Sequence, residues 1–304
     1  MSLYKTYRPQ NLEEFVGNKE VIISLEGLFS KPKDFPHATL LSGPTGCGKT
    51  TIARIISKQL ESKKFDLIEL DTADFRGIET IRNLIRQSQH HSLYGGNRVW
   101  ILDECHKLTN EAQNALLKLL EDPPNHAYFI LCTTNPSKLL KTVKGRCLHY
   151  ELTPLDERHM RRLLRLIVKA EGKNIAEEIY EQIIKSAEGL PRNAIQILEK
   201  VLSVPEEQQL SHAKQTEKAI AQSIDLCRQL IQRKNWQTIS TTLKGLKNQD
   251  PEGVRRHVLG YCQTILLSKE DDQAALIMEI FSEPFYNTLY PGLVLACYTV
   301  HRAR

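Results

Sequence analysis

Between the apolar run "HATLLS" and the helix-like run "KTTIARIISKQL" lies Gly43–Thr50, an octet with the pattern G-x-x-x-x-G-K-T. No other feature of the chain restricts its fold so tightly. A strand must deliver the backbone to this turn and a helix must carry it away. Only then do successive N–H groups curl inward and the helix add its positive amino end. Such a turn holds the phosphates of a nucleotide. Lys49 is placed to reach the β- and γ-phosphates, and the Thr50 hydroxyl to ligate Mg²⁺. Gly43, Pro44, Thr45, Gly46, Cys47 and Gly48 form the turn, with Thr51 following at the helix start.

The surrounding sequence supplies the required alternation over residues 38–150. "ATLLS", "DLIEL", "RVWILD", "YFILCT" and "CLHYEL" are short, apolar and rich in β-branched or aromatic residues, which predicts strands. "GKTTIARIISKQL", "GIETIRNLIRQSQ" and "TNEAQNALLKLLE" place apolar residues three and four apart, which predicts helices. Alternation of this kind gives a mostly parallel sheet with helices on both faces. Thr109 is the expected N-cap of the third helix, and Pro123-Pro124 its stop. From about residue 154 the strand signal ends. Three helical patterns follow, "DERHMRRLLRLIVKAEG", "AEEIYEQIIKSAEG" and "LPRNAIQILEKVL". The polar stretch 203–218 reads as a linker or exposed turn. Beyond it the chain is helical again, with breaks expected near Asp250-Pro251 and Pro291-Gly292.

"VWILDECH", residues 99–106, supplies a second half to the site. Alone, it is equally an acidic turn closing a strand. Downstream of a phosphate loop, it places Asp103 and Glu104 at the carboxyl end of a strand beside the phosphates. Asp103 is then expected to hold Mg²⁺, partly through water, and Glu104 to orient the attacking water. Phosphoryl transfer needs chiefly such positioning and charge neutralisation. The D-E-x-H letters also suit a helicase, but that motor needs a second parallel-sheet lobe that the helical 155–304 cannot supply.

At 304 residues the chain has room for two or three domains. No apolar run approaches the ~20 residues of a membrane span. Lys5, Arg8, Glu13, Glu14, Lys19 and Glu20 leave no apolar core for a signal peptide. Seven scattered cysteines without a C-x-x-C pair suit a reducing, cytoplasmic location rather than a disulfide framework or zinc ribbon. Cys105 and His106 are neighbours, and adjacent residues rarely face one ion. A net charge of +5 permits contact with nucleic-acid phosphates without requiring it.

"YKTYRPQNLEEFVGNKEV", "GPTGCGKTT", "ELDTADFRGIETIR", "VWILDECHKLTNEAQNALLKLLEDPP", "FILCTTNPSKLL" and "GRC" occur in the order found in clamp-loader ATPases. The chain resembles the gamma/tau subunit of bacterial DNA polymerase III and the small subunits of replication factor C. The likeness covers residues 4 to about 200; the last hundred match only as a helical block. It implies an α/β AAA+ P-loop domain with a parallel sheet over 1–153. An all-α lid over 154–204 and an all-α, oligomerising collar over 205–304 complete the expected architecture. The implied activity is ATP hydrolysis that loads a sliding clamp onto primer–template DNA during replication. The implied partners are the clamp, that DNA and other loader subunits in a homo- or hetero-oligomeric ring or spiral, with no membrane. Rival readings are another AAA+ DNA-remodelling ATPase, such as a branch-migration or helicase-like motor, and a non-hydrolysing stator. Intact Lys49, Thr50, Asp103 and Glu104 speak against the stator.

Residue by residue, the resemblance assigns Tyr7, Arg8, Pro9, Val16 and Gly17 to the adenine pocket. Thr134 becomes a γ-phosphate sensor, with Asn135 a weaker candidate, and Arg192 a second sensor from the lid. Arg146 becomes a finger inserted into the next subunit's site. Arg76 and Arg82 fall where the family tracks template phosphates. Without the resemblance, these last arginines would read as solvated surface. Two departures stand out. The zinc-binding cysteine cluster of gamma/tau is replaced by "ESKK" between Leu60 and Phe65, so no metal is expected there. Gly145 replaces the serine of the S-R-C motif, removing a hydroxyl able to cap a helix for about 1 kcal/mol. Arg146 is therefore expected to be less rigidly held.

Overall fold

Five strands pair in parallel in the order β2-β3-β4-β1-β5. They belong to a computed structural model that describes residues 2–31, 34–92, 95–247, 249–285 and 288–303, with backbone only for 212 and 214–221. The strands are β1 (Ala38–Ser42), β2 (Leu67–Asp71), β3 (Arg98–Asp103), β4 (Ala127–Thr133) and β5 (Leu148–Glu151). β1 and β4 are buried at every position, as continuous apolar runs at the centre of a parallel sheet should be. They run in register from Ala38 opposite Phe129 to Ser42 opposite Thr133. The outer strands β2 and β5 are only partly covered.

Side chains alternate between the two faces, and each face takes its own helices. Leu41, Ile101 and Ile130 pack with Leu25 of α2 (Lys19–Phe29) and with Ile52 and Ile56 of α3 (Lys49–Gln59). Leu40, Trp100 and Phe129 pack with Ile81 and Leu84 of α4 (Ile78–Ser88) and Leu116 of α5 (Asn110–Glu121). Each fully buried aliphatic side chain stabilises the fold by about 1.5–3 kcal/mol. Thr109 caps α5, its hydroxyl accepting the Ala112 N–H at 3.2 Å. The helix ends at Asp122, ahead of the two prolines that cannot continue it.

The chain divides into two compact units, Met1–Ser203 and Val204–Arg304. The first also holds α1 (Leu3–Thr6), the short α6 (Lys141–Lys144) and three helices after the sheet: α7 (Glu157–Ala170), α8 (Glu177–Ala187) and α9 (Pro191–Leu202). The second consists of α10 (Glu206–Ile231), α11 (Trp236–Gly245), α12 (Pro251–Ser268), α13 (Asp272–Ile280) and α14 (Leu289–Arg302). Its core gathers Leu226, Leu230, Val258, Phe281 and Leu293.

One local expectation is overturned here. The stretch 203–218 is not a linker, because α10 begins at Glu206 and runs through it. Its Glu, Gln, Ala and Lys are strong helix formers without apolar periodicity, and Glu206 and Glu207 favour the helix amino end. The break expected near Pro291-Gly292 falls just before the pair, between α13 and α14, and the pair itself lies in the first turn of α14. A proline is tolerated there because the first N–H groups of a helix have no intrahelical partner. Asp250 does mark a break, capping α12 through the N–H groups of Glu252 and Gly253. Among the described residues, no helix is long and apolar enough to cross a membrane.

Candidate functional site

β1 ends at Ser42 and the chain turns at once. Gly43 has φ +139°, and a Cβ there would lie 2.2 Å from the Leu152 carbonyl oxygen. Gly48, φ +107°, stands just before α3, where a Cβ would meet the Phe15 ring at 2.7 Å. Other residues would be both strained and obstructed at these points. Lys49 is buried, and its ammonium folds back over the loop to donate to the carbonyls of Gly43 and Pro44 at 2.8 and 2.9 Å.

The parallel register carries β3 to the same end of the sheet. The Thr50 hydroxyl donates to Asp103 Oδ2 at 2.7 Å, and the Glu104 N–H donates to Asp103 Oδ1 at 3.0 Å. Glu104 takes a left-handed backbone, φ +51°, uncommon for a residue with a side chain. The Thr134 hydroxyl, just past β4, donates to Glu104 Oε2 at 3.2 Å. Burial, then the Asp103 charge, hold the Glu104 carboxyl above its usual range, while Lys49 and the Thr134 bond partly offset them. Burial and three lysines (Lys107, Lys138 and Lys49) press His106 down to about 4, so its ring is neutral near neutral pH.

One cleft collects most of the predicted residues. Tyr7, Arg8, Pro9 and Val16 form one wall, and the turn from Thr45 through Gly46, Cys47 and Gly48 to Thr51 forms the floor. Asp103, Glu104 and Arg192 close it. The Tyr7 hydroxyl donates to Glu171 Oε1 at 2.5 Å. That hydrogen bond first, then burial and the Glu171 charge, raises the Tyr7 pKa. Gly17, Gly43 and Pro44 do not line the cleft; the Gly43 and Pro44 carbonyls accept from Lys49, and Gly17 abuts Leu155.

Sequence reasoning missed Tyr4, Phe15, Leu155, Leu163 and Ile195, which also line the cleft. Tyr4 carries a findable signal, since its ring lies 5.8 Å from the Arg192 guanidinium and the resemblance begins at that residue. Phe15 and the aliphatic residues look like any core side chains in sequence.

Four candidates stand apart from the cleft. Arg146 donates to the Thr142 carbonyl at 2.8 Å and pairs with the Glu121 carboxylate, so it is held despite Gly145. Gly145 itself ends α6 in an ordinary right-handed conformation. Arg76 donates to the Ala73 carbonyl at 2.7 Å, while Arg82 pairs with Glu79 at 2.5 Å. Both arginines are exposed. Asn135 donates its N–H to Thr133 Oγ1 at 3.0 Å.

The donor set suits the group the loop implies. A buried ammonium in a glycine turn fits phosphate oxygens, and the Thr50 hydroxyl with the Asp103 carboxylate offers the hard oxygens that Mg²⁺ prefers.

A phosphate loop after the first strand of this parallel sheet, with a helical region following, defines the AAA+ fold. The Thermotoga maritima RuvB Holliday junction branch migration motor shares it, with a TM-score of 0.61 and 20% identity over 74% of this chain and 79% of that one. In sequence, the chain is similar to subunits of DNA polymerase III. It is 34% identical to the Mycobacterium tuberculosis H37Rv gamma/tau subunit over 226 residues, 67% of this chain and 39% of the relative. Against the gamma subunit of Buchnera aphidicola subsp. Schizaphis graminum, identity is 37% over 218 residues, 65% of this chain and 60% of the relative. The Escherichia coli K12 tau subunit is 33% identical over 66% of this chain and 34% of its own length. The chain thus spans between about a third and three fifths of these relatives. The family model described as DNA polymerase III, delta subunit, matches residues 61–156.

Proposed function

We propose that this chain is an ATP-hydrolysing clamp-loader subunit that acts within a DNA polymerase holoenzyme. With other subunits it would load a sliding clamp onto primer–template DNA in the cytoplasm. The observation that carries this reading is the bond from Thr50 to Asp103, with Glu104 next in the chain and Lys49 folded over the loop. Residues 1–153 serve as the nucleotide domain, 154–204 as the lid and 205–304 as the collar that assembles the ring.

Within that reading, the loop amides and Lys49 bind the phosphates, and Thr50 with Asp103 would hold Mg²⁺. Bound Mg²⁺ supplies charge neutralisation at the phosphate oxygens. Tyr7, Arg8, Pro9 and Val16 hold the adenine, with Gly17 supporting them. Glu104 orients the attacking water, Thr134, bonded to Glu104, senses the γ-phosphate, and Arg192 reaches the γ-phosphate. Arg146 serves the neighbouring subunit's site, and Arg76 with Arg82 tracks DNA phosphates.

Glu104→Gln tests the reading, because the amide keeps the shape and loses the charge. Nucleotide binding, measured by titration calorimetry, should persist while steady-state hydrolysis falls to background. Full hydrolysis by the variant overturns the assignment. A loader subunit whose complex turns over ATP elsewhere is the second reading, favoured by the delta-subunit match over 61–156. Hydrolysis that is absent from the wild-type chain in its assembled complex would select it.

A further inference from the structure

Glu104 has a neighbour that phosphate binding does not explain. His106 lies in a single turn of 3-10 helix, Cys105–Lys107, which returns its ring toward the carboxylate. Its Nδ1 is 3.3 Å from Glu104 Oε2 and 3.1 Å from Thr133 Oγ1. The His106 side chain is 7% exposed, against 30% for Glu104, so the ring sits beneath the carboxylate. From another direction the Thr134 hydroxyl donates to the same Oε2. Thr133 Oγ1 is in turn fixed by the Asn135 N–H. Consecutive residues at the end of β4 thus hold one carboxylate, Thr134 directly and Thr133 through the imidazole.

The proton's place follows from the partners. A neutral imidazole carries one N–H, and the other ring nitrogen presents a lone pair. An ionised carboxylate oxygen only accepts, so a bare Nδ1 facing it would repel it. The hydrogen therefore belongs on Nδ1, donated to Thr133 Oγ1 at 3.1 Å and lying against Glu104 Oε2 at 3.3 Å. We propose that His106, as the Nδ1–H tautomer, is a positioning residue that locks the Glu104 carboxylate between Thr133 and Thr134. This rests on the assignment of Glu104 as the residue that orients water. In sequence the only trace is the last letter of D-E-C-H.

A group that acts by aiming Glu104 should affect turnover and leave nucleotide binding alone. Three variants separate this from a packing role. Asn places an amide nitrogen near the position of Nδ1, Gln near that of Nε2, and Ala at neither. His106→Ala and His106→Gln should lower kcat about 10- to 100-fold, the scale of an ångström's misplacement, with unchanged ATP affinity. His106→Asn should recover most of the loss. In a Glu104→Gln background, single-turnover rates should show no further loss on adding His106→Ala. Wild-type kcat in His106→Ala overturns the proposal, as does equal loss in the Asn and Gln variants or an additive loss in the double variant. Should His106→Ala unfold by circular dichroism, the Asn–Gln contrast still decides. Full turnover by Glu104→Gln alone is a different failure, that of the underlying function.

Discussion

The hydroxyl of Thr50, in the first turn of α3, donates to Asp103 Oδ2, at the end of β3, across 2.7 Å. This bond ties the phosphate loop to the acidic strand end, with β4 between β1 and β3 in the sheet. It brings together the two oxygen-bearing side chains that would hold Mg²⁺. Thr50→Val keeps the branched shape and removes the hydroxyl. Affinity for ATP measured with Mg²⁺ should fall about 10- to 100-fold, the worth of a hydrogen bond or ligand at a charged centre. In excess chelator the variant and wild type should bind alike. Equal weakening under both conditions would mean that Thr50 serves the loop's shape rather than the metal.

Arg76 lies just before α4, and its carbonyl accepts the Thr109 N–H at 3.1 Å, joining it to the start of α5. Arg82 is on α4 itself, with an exposed i,i+3 partner in Glu79. Such an ion pair is worth little in water and can be exchanged for a phosphate contact. Replacing both arginines by Ala should weaken DNA binding similarly for unrelated sequences. It should also flatten the plot of log affinity against log salt by up to about two units. An unchanged slope would remove both residues from the DNA surface.

The strands and sheet-packing helices were legible because strands buried on both faces are short apolar runs, as Leu40 with Leu41 and Trp100 with Ile101 show, and the helices between them carry apolar residues three and four apart. Thr109 and Pro123-Pro124 mark the ends of α5 by local chemistry that needs no tertiary context. The amino part of α10 was not legible, because a polar run with high helix propensity lacks the apolar period that distinguishes helix from linker. Pro291 marked the break before α14, because a residue that breaks an interior turn fits a first turn. In the site, the motif residues of loop and strand could be read from spacing. His106, Thr133 and Phe15 could not, since their contacts join segments whose register only the folded sheet fixes.

Acid should act on the second unit through Glu252. Its buried carboxylate takes hydrogen bonds from Arg255 Nε and Nη2, at 2.9 and 2.6 Å, and from the Phe285 N–H at 3.0 Å. Burial alone would raise its pKa, but the Arg255 hydrogen bonds, the Phe285 N–H and the charges of Arg255 and Arg256 prevail and hold it below the usual range. A carboxyl depressed in the folded state stabilises fully above its unfolded value, about 4.3 for Glu, and that contribution is lost as pH falls through the folded value. The unfolding midpoint of residues 204–304, followed by hydrogen exchange, should therefore drop below about pH 4. Glu252→Gln should cost about 1.5–3 kcal/mol at neutral pH, because the half-buried Arg255 guanidinium loses its charged partner and is left with the Phe281 and Ser282 carbonyls, and should remove part of the acid dependence. A neutral-pH loss within experimental error would show that the pair contributes nothing to folding.

Arg146 tests whether the site is completed by a second chain. It precedes β5, and β5 is parallel to β1, so Arg146 lies at the amino end of the sheet while the phosphate loop leaves the carboxyl end. About 16 Å of strand separates those ends. Its guanidinium is held on that far side by the Thr142 carbonyl and by Glu121. It therefore has no route to its own cleft, and a role in hydrolysis requires a neighbour. An arginine finger accelerates phosphoryl transfer by ~10³–10⁵ and contributes far less to ground-state binding. Arg146→Ala should bind ATP yet barely hydrolyse it, and Lys49→Ala should be inactive through its own loop. Mixed in one assembly, the two should regain part of the activity, because Lys49→Ala subunits still offer Arg146 to the intact cleft of an Arg146→Ala subunit. The regained rate should rise and fall with mixing ratio, peaking where such neighbours are most frequent. Native mass spectrometry must first show assemblies containing both variants. If such assemblies stay inactive at every ratio, Arg146 does not act between subunits.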